Sequence, residues 1–366
     1  MKLSPELDRR KMLQRLGAAA ALSSALMPAA ASDETLAQMA RRRGILFGFA
    51  LNAKALTDSA IMDVYAREAG IVAPIGLGAW GNTHKTPETW DFRDLDAIVT
   101  WARRSGRPMR GTHLVWHQNL PPWFAENVTA ANASQYMRAH IFAFMGRYRK
   151  TFTAWNVVNE AVLPSDGRAD GLRQSAWLRL IGPGYIEQAF RLAAEADPSA
   201  MLAYNEFGLE ADTPQADRKR QAVLRLLRDL KLRGTPVHAL GMQAHLSAKT
   251  PLNLGKLKAF MNSVADLGLQ IHITELDVSD SVLPADVVTR DALVAHQYQV
   301  FLTAALDHSA VKTVLLWGLS DRYTWLERHA PRPDGLAVRV LPLDENLQRK
   351  PAWFALARTL QGQSNP

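Results

Sequence analysis

An α/β fold built as one (β/α)8 barrel of the TIM type is what this 366-residue chain predicts. Three observations carry that expectation. Apolar, β-branched runs of strand length alternate with helix-like stretches from about residue 45 onward. Most of the runs are continuously apolar rather than alternating, as strands covered by helices on both faces must be. Eight such β-α units in roughly 330 residues match one closed barrel with insertions.

The first strand, 45–51, opens on Ile45-Leu46-Phe47, and the second, 71–75, on Ile71-Val72-Ala73. The third is read over 109–116. The fourth, 154–160, runs from Ala154-Trp155 into Asn159-Glu160. The fifth (201–207), sixth (239–246), seventh (270–278) and eighth (313–320) repeat the pattern. Helical stretches at 95–104, 133–149, 185–196, 216–232 and 289–308 lie between them. A doubly wound open sheet is the competing arrangement. It brings a glycine-rich phosphate turn after its first strand, and Gly48-Phe49-Ala50-Leu51 is not one. Residues 32–366 read as one catalytic domain, without internal repeats or a low-complexity linker.

Composition sets further bounds. An apolar fraction of 48% and a charged fraction of 21% suit a globular protein with a large core. The absence of cysteine removes disulfide and thiolate chemistry. Residues 1–31 read as a signal peptide: Arg9-Arg10-Lys11, an apolar stretch from Leu16 to Met27, then Pro28-Ala29-Ala30-Ala31. The paired arginines suggest the twin-arginine route, hence a periplasmic or secreted protein. That segment carries +3 of the chain's net +8, leaving about +5. Such a balance tolerates an acidic polysaccharide but gives no interleaved basic and aromatic patch for nucleic acid. No apolar run in the body of the chain is long enough to span a bilayer.

Two segments carry the chemistry. Trp155-Asn156-Val157-Val158-Asn159-Glu160 and Ile271-His272-Ile273-Thr274-Glu275-Leu276-Asp277 each bring a carboxylate to the end of a buried strand. Active sites of this fold lie at the C-terminal strand ends. Glu160 closes strand four and Glu275 lies near the end of strand seven, so the two can hold a sugar ring between them. Glycoside hydrolysis needs one carboxyl group to protonate the leaving oxygen and a second to attack or to activate water. His113 and His117 are four apart, but on a strand that spacing builds no chelate and no carboxylate lies nearby in sequence. Neither a metal nor another cofactor is expected.

Motifs in order along the chain resemble glycoside hydrolase family ten, the retaining endo-β-1,4-xylanases. They include Arg110-Gly111-Thr112-His113-Leu114-Val115-Trp116-His117, Leu120-Pro121-Pro122-Trp123, Trp155 to Glu160 and Tyr204-Asn205-Glu206. They continue through Gly241-Met242-Gln243-Ala244-His245, Thr274-Glu275-Leu276-Asp277 and Trp317-Gly318-Leu319-Ser320-Asp321 with Trp325. The resemblance implies that Glu160 is the acid/base and Glu275 the nucleophile, with carboxyl groups about 5–5.5 Å apart. The nucleophile must stay ionised. His245 is the expected hydrogen-bond donor to it, oriented by Asp277, which shares a strand face with Glu275. Asn159 is expected at the sugar 2-hydroxyl, with His117, Asn205 and Gln243 as further polar contacts. Trp116, Trp317 and Trp325 are expected to supply aromatic walls, since pyranose faces are apolar. Trp155 and Trp177 are assigned to the core.

One segment departs from the family. Its usual Thr-Pro-Glu-Asn-x-x-Lys-Trp after strand two, whose polar side chains hold the next xylose, is here Ala73-Pro74-Ile75-Gly76-Leu77-Gly78-Ala79-Trp80. Asn119 also replaces a glutamine, and the Gly-His-Thr order becomes Gly111-Thr112-His113. Three readings follow. The first is a retaining endo-1,4-β-xylanase acting on xylan. The second applies the same chemistry to another β-glycan, such as a bacterial exopolysaccharide. The third is a non-catalytic carbohydrate-binding protein on the same scaffold. A polysaccharide is the expected partner and a monomer the expected state.

Overall fold

The structure, a computed structural model, describes residues 34–77 and 79–363. The segment read as a signal peptide lies outside them. Eight barrel strands run β1 (Leu46–Leu51), β2 (Ile71–Pro74), β3 (Met109–Gly111), β4 (Phe152–Asn159), β5 (Met201–Glu206), β6 (Ala239–Met242), β7 (Gln270–Ser279) and β8 (Val311–Leu316). All neighbours pair in parallel, and β8 pairs with both β7 and β1, which closes the ring. A long helix follows each strand: α1 (Ser59–Glu68), α2 (Arg93–Arg104), α3 (Ala133–Arg147), α4 (Tyr185–Ala196), α5 (Pro214–Leu232), α6 (Leu254–Ala265), α7 (Val287–Leu306) and α8 (Pro351–Leu360). Among the described residues no helix is long and apolar enough to cross a membrane.

Local chemistry explains the helix starts. Asp58, Thr213, Asn253 and Asp286 each accept a backbone N–H in the first turn of α1, α5, α6 and α7. These caps satisfy amides that have no intrahelical partner. Pro214 opens α5, where a missing N–H costs nothing. The apolar faces then cover the strands, whose residues are almost wholly buried. Trp155 and Trp177 are each 1% exposed, so the core assignment of both stands.

Three strands end well before the sequence suggests: β8 stops at Leu316 rather than Ser320, and the other two end at turns. β3 stops at Gly111 rather than Trp116, because His113 turns to a positive φ of 20°. The chain then runs on parallel to β4, with Leu114 and Val115 donating to the carbonyls of Asn156 and Val157. β6 stops at Met242, since Ala244 adopts φ 60° and its N–H goes to the Glu210 carboxylate at 3.0 Å. His245–Ser247 resumes as a short strand beside Asp277–Ser279 of β7. Both breaks lie at the C-terminal mouth of the barrel. They take His113 out of the β3 ladder and bring His245 into register with Asp277.

Candidate active site

Glu160 follows the last residue of β4, and Glu275 sits inside the C-terminal part of β7. Both are buried, 9% and 4% exposed. A network of amides joins their surroundings. Asn205, on β5, donates through Nδ2 to Glu275 Oε1 and to Asn159 Oδ1, both at 2.8 Å. Gln243, beyond β6, donates through Nε2 to Glu160 Oε1 at 3.0 Å and to Asn159 Oδ1 at 3.2 Å. Asn159 Nδ2 adds a second donor to Glu160 Oε1 at 3.1 Å, and Thr274 Oγ1 donates to Asn205 Oδ1 at 2.7 Å. Gly241 makes room for this. A Cβ there would fall 2.1 Å from Asn205 Oδ1, so only glycine lets that amide reach across to β7.

His245, beyond the end of β6, and Asp277, on β7, both lie beside Glu275. His245 Nε2 is 3.3 Å from Glu275 Oε2, and Nδ1 is 2.9 Å from Asp277 Oδ1. Trp325 Nε1 donates to Asp277 Oδ2 at 2.7 Å, with its ring 5.0 Å from the imidazole. Burial opposes the imidazolium, but the Asp277 and Glu275 carboxylates outweigh it and hold His245 well above the usual histidine range. With both ring nitrogens protonated, His245 can donate to both carboxylates at once. Burial alone would raise the Glu275 carboxyl. The hydrogen bond from His245, the charges of His113 and His245 and the Asn205 amide hold it below its ordinary value.

This pair has a pH signature. A depressed Glu275 contributes stability above its unfolded value of 4.5, lost as pH falls further through its folded value. A raised His245 contributes fully below 6.5 and loses that contribution as pH rises through its higher folded value. Both are complete between pH 4.5 and 6.5. Melting temperatures of wild type and His245→Asn should therefore differ most in that window, with the gap narrowing above it. A gap constant from pH 5 to pH 9 would contradict a charged His245.

The remaining expected residues divide between the two carboxylates. His117 Nδ1 lies 4.0 Å from Glu160 Oε2; burial and then the Arg173 charge push its pKa down to about 4, so it is neutral near pH 7. Trp116 is half-buried beside His113 and His117, and its Nε1 has no protein partner. Trp317 follows β8 and meets the His245 ring edge-on at 6.5 Å. Asn159, Asn205 and Gln243 all line the network, while their amides are largely committed to one another and to the glutamates. Of His113 and His117, only His117 comes within ion-pair distance of Glu160.

Several residues here have no role in the sequence reading. Arg110, fully buried in the barrel, donates to Asn156 Oδ1 from Nε at 3.2 Å, and its Nη1 is 2.7 Å from His272 Nδ1. Burial lowers it to about 10, so it remains a cation beneath Glu275. Glu206, wholly buried, receives the Tyr204 hydroxyl at 2.5 Å and pairs with Lys219 at 2.7 Å. Glu210 holds the Ala244 turn. Arg110 and Glu206 lie inside motifs already singled out, but nothing in the local pattern tells a buried ion from a surface one.

The segment after β2 is also in place. Ile75 donates its N–H to Leu51 O, Gly76 has φ 71°, and Asn82 Nδ2 caps the Gly76 carbonyl at 2.5 Å. Ala79 is buried, and Trp80 stacks on Trp177 and His140 in the core.

The family description "Glycosyl hydrolase family 10" matches residues 35–359. "Endo-1,4-beta-xylanase B" of Thermotoga neapolitana is 31% identical over 333 residues, 90% of this chain and 92% of its own length. The crystal structure of native xylanase 10B from Thermotoga maritima superposes with a TM-score of 0.82 at 30% identity, covering 90% of this chain and 99% of that one. Xylanase 10B from Thermotoga petrophila in complex with xylobiose gives the same score and identity over 90% and 98%.

Proposed function

Because this chain belongs to glycosyl hydrolase family 10, we propose that it is a retaining endo-1,4-β-xylanase whose acid/base is Glu160 and whose nucleophile is Glu275. The observation that carries the assignment is the asymmetry of the two carboxylates. Both Glu275 oxygens receive donors, one from Asn205 and one from His245, and its depressed pKa keeps it ionised for attack. Glu160 Oε1 is occupied by two amide donors. Oε2, the oxygen on the side of His117, is therefore the one that gives and takes the proton in this scheme. In the first step Glu275 attacks the anomeric carbon while Glu160 protonates the departing oxygen. In the second, Glu160 deprotonates water as the glycosyl–Glu275 bond breaks, so configuration is retained.

His245 and Asp277 are positioning residues for Glu275 in this scheme. Asn159 and His117 face the sugar beside Glu160, and Trp116, Trp317 and Trp325 supply its walls. Two carboxylates held in a continuous donor network argue against a scaffold that only binds. The leader-like residues 1–31 support export, and their arginine pair supports the twin-arginine route. Product analysis on xylan tests the proposal directly: short xylo-oligosaccharides, with the β-anomer formed first by NMR, are expected. An α-anomer, or no hydrolysis of xylan, would overturn it.

The apolar segment after β2 should leave its mark on the neighbouring sugar site. Three sugar hydrogen bonds, each worth about 1 kcal/mol net, would give a xylobiose-based aryl glycoside a preference of about a hundredfold over the xylose analogue. With Ile75, Gly76 and Ala79 in those positions, the preference should be far smaller. Ile75→Glu combined with Gly76→Asn should raise it, since asparagine tolerates φ near 71° better than most residues. A strong wild-type preference would show that other side chains supply the contacts.

A further inference from the structure

We propose that Arg173 is a positioning residue for the acid/base: it holds the left-handed main chain on which Glu160 is mounted. The inference rests on the acid/base reading of Glu160. Glu160 has φ 58°, a conformation a residue with a Cβ adopts only when its surroundings impose it. On the N-terminal side the constraint is the β4–β5 ladder, through Glu160 N–H donating to Asn205 O at 2.9 Å. On the C-terminal side the carbonyl has been turned out of the ladder. Arg173 Nε donates to it at 2.7 Å.

The arginine is fixed at its own base. Its main-chain N–H donates to Ala161 O at 2.8 Å, Val162 and Leu172 form an antiparallel bridge, and Leu163 N–H donates to Gly171 O at 2.9 Å. The chain thus leaves the site after Glu160 and returns at Arg173, which grips consecutive carbonyls at 160 and 161, one by side chain and one by main chain. The guanidinium lies over the Phe207 ring at 5.9 Å, and its buried Nη2 has no protein partner. Its hydrogen bond to Glu160 goes to the main-chain carbonyl and not to a carboxylate oxygen, so its hold on the residue passes through the backbone.

Relaxation of that backbone would swing the Glu160 carboxyl away from the amides of Asn159 and Gln243, while Glu275, held from β5 and β7, would stay. Loss of Arg173 should therefore damage proton transfer and spare nucleophilic attack. The test compares wild type, Arg173→Met and Arg173→Lys on xylo-oligosaccharides and on a dinitrophenyl xylobioside, whose leaving group departs without a proton. Arg173→Met should lose about 100-fold in kcat/KM on the oligosaccharides, the scale of a misplaced catalytic group. On the activated glycoside its kcat/KM should change by roughly twofold or less. Arg173→Lys, which restores a donor and a cation, should recover a large part of the oligosaccharide loss. Equal losses on both substrates, or no loss on oligosaccharides, would overturn the inference. A wild-type enzyme inert on both substrates would instead overturn the acid/base reading on which it rests.

Discussion

Glu275→Gln should lower kcat/KM by about 10⁴-fold or more on every xyloside, whatever its leaving group, because no other group can form the glycosyl ester. Glutamine keeps the shape of a buried side chain and a carbonyl oxygen that can face Asn205. Its amide N–H₂ would face His245 Nε2, which could then accept rather than donate. The imidazole should lose its second carboxylate partner and titrate at a lower pH, an effect visible by NMR. Folding should survive, since the substitution leaves no cavity. A variant retaining a tenth of wild-type turnover would remove Glu275 as nucleophile.

Glu160→Ala should separate substrates by leaving group. Where the departing oxygen needs a proton, kcat/KM should fall by about 10²–10⁴-fold, the usual reach of general acid catalysis. On the dinitrophenyl glycoside formation of the glycosyl-enzyme should persist, but its hydrolysis should stall for want of a base. Azide, small enough for the space left by the carboxyl group, should restore turnover and give a β-glycosyl azide. Failure of azide to do so, with the glycosyl-enzyme demonstrably formed, would reassign the acid/base. The contrast with Glu275→Gln is the sharper for being measured on the same substrates.

Much of the barrel was legible because burial on two faces forces continuous apolar runs. β4, β5 and β7 lie within a few residues of expectation, and α4 has the expected limits. The misreadings at β3 and β6 have a common cause. Leu114, Val115 and Leu246 continue the apolar pattern, while the turns depend on positive φ at His113 and Ala244. Alanine carries no local signal for that conformation; a carboxylate from Glu210, remote in sequence, imposes it. The small hairpin of His84–Thr86 and Thr89–Trp90 was likewise hidden, being too short to show a period.

By itself the sequence put Glu160, Glu275, His245, Asp277 and the amides around them at or near strand ends, and parallel strands of one barrel deliver their ends to one mouth. The tertiary structure alone decided how those groups are wired. Asn205 bonds Glu275 rather than Glu160, because the registers of β5 and β7 on the intervening β6 and the bare backbone of Gly241 set its reach. Arg173 meets the Glu160 carbonyl because a loop returns thirteen residues later against the same strand end. Such contacts join residues distant along the chain, and their hydrogen bonds depend on differences of an ångström or less. Local patterns of polarity fix which face a side chain occupies; only closure of the barrel fixes its partner.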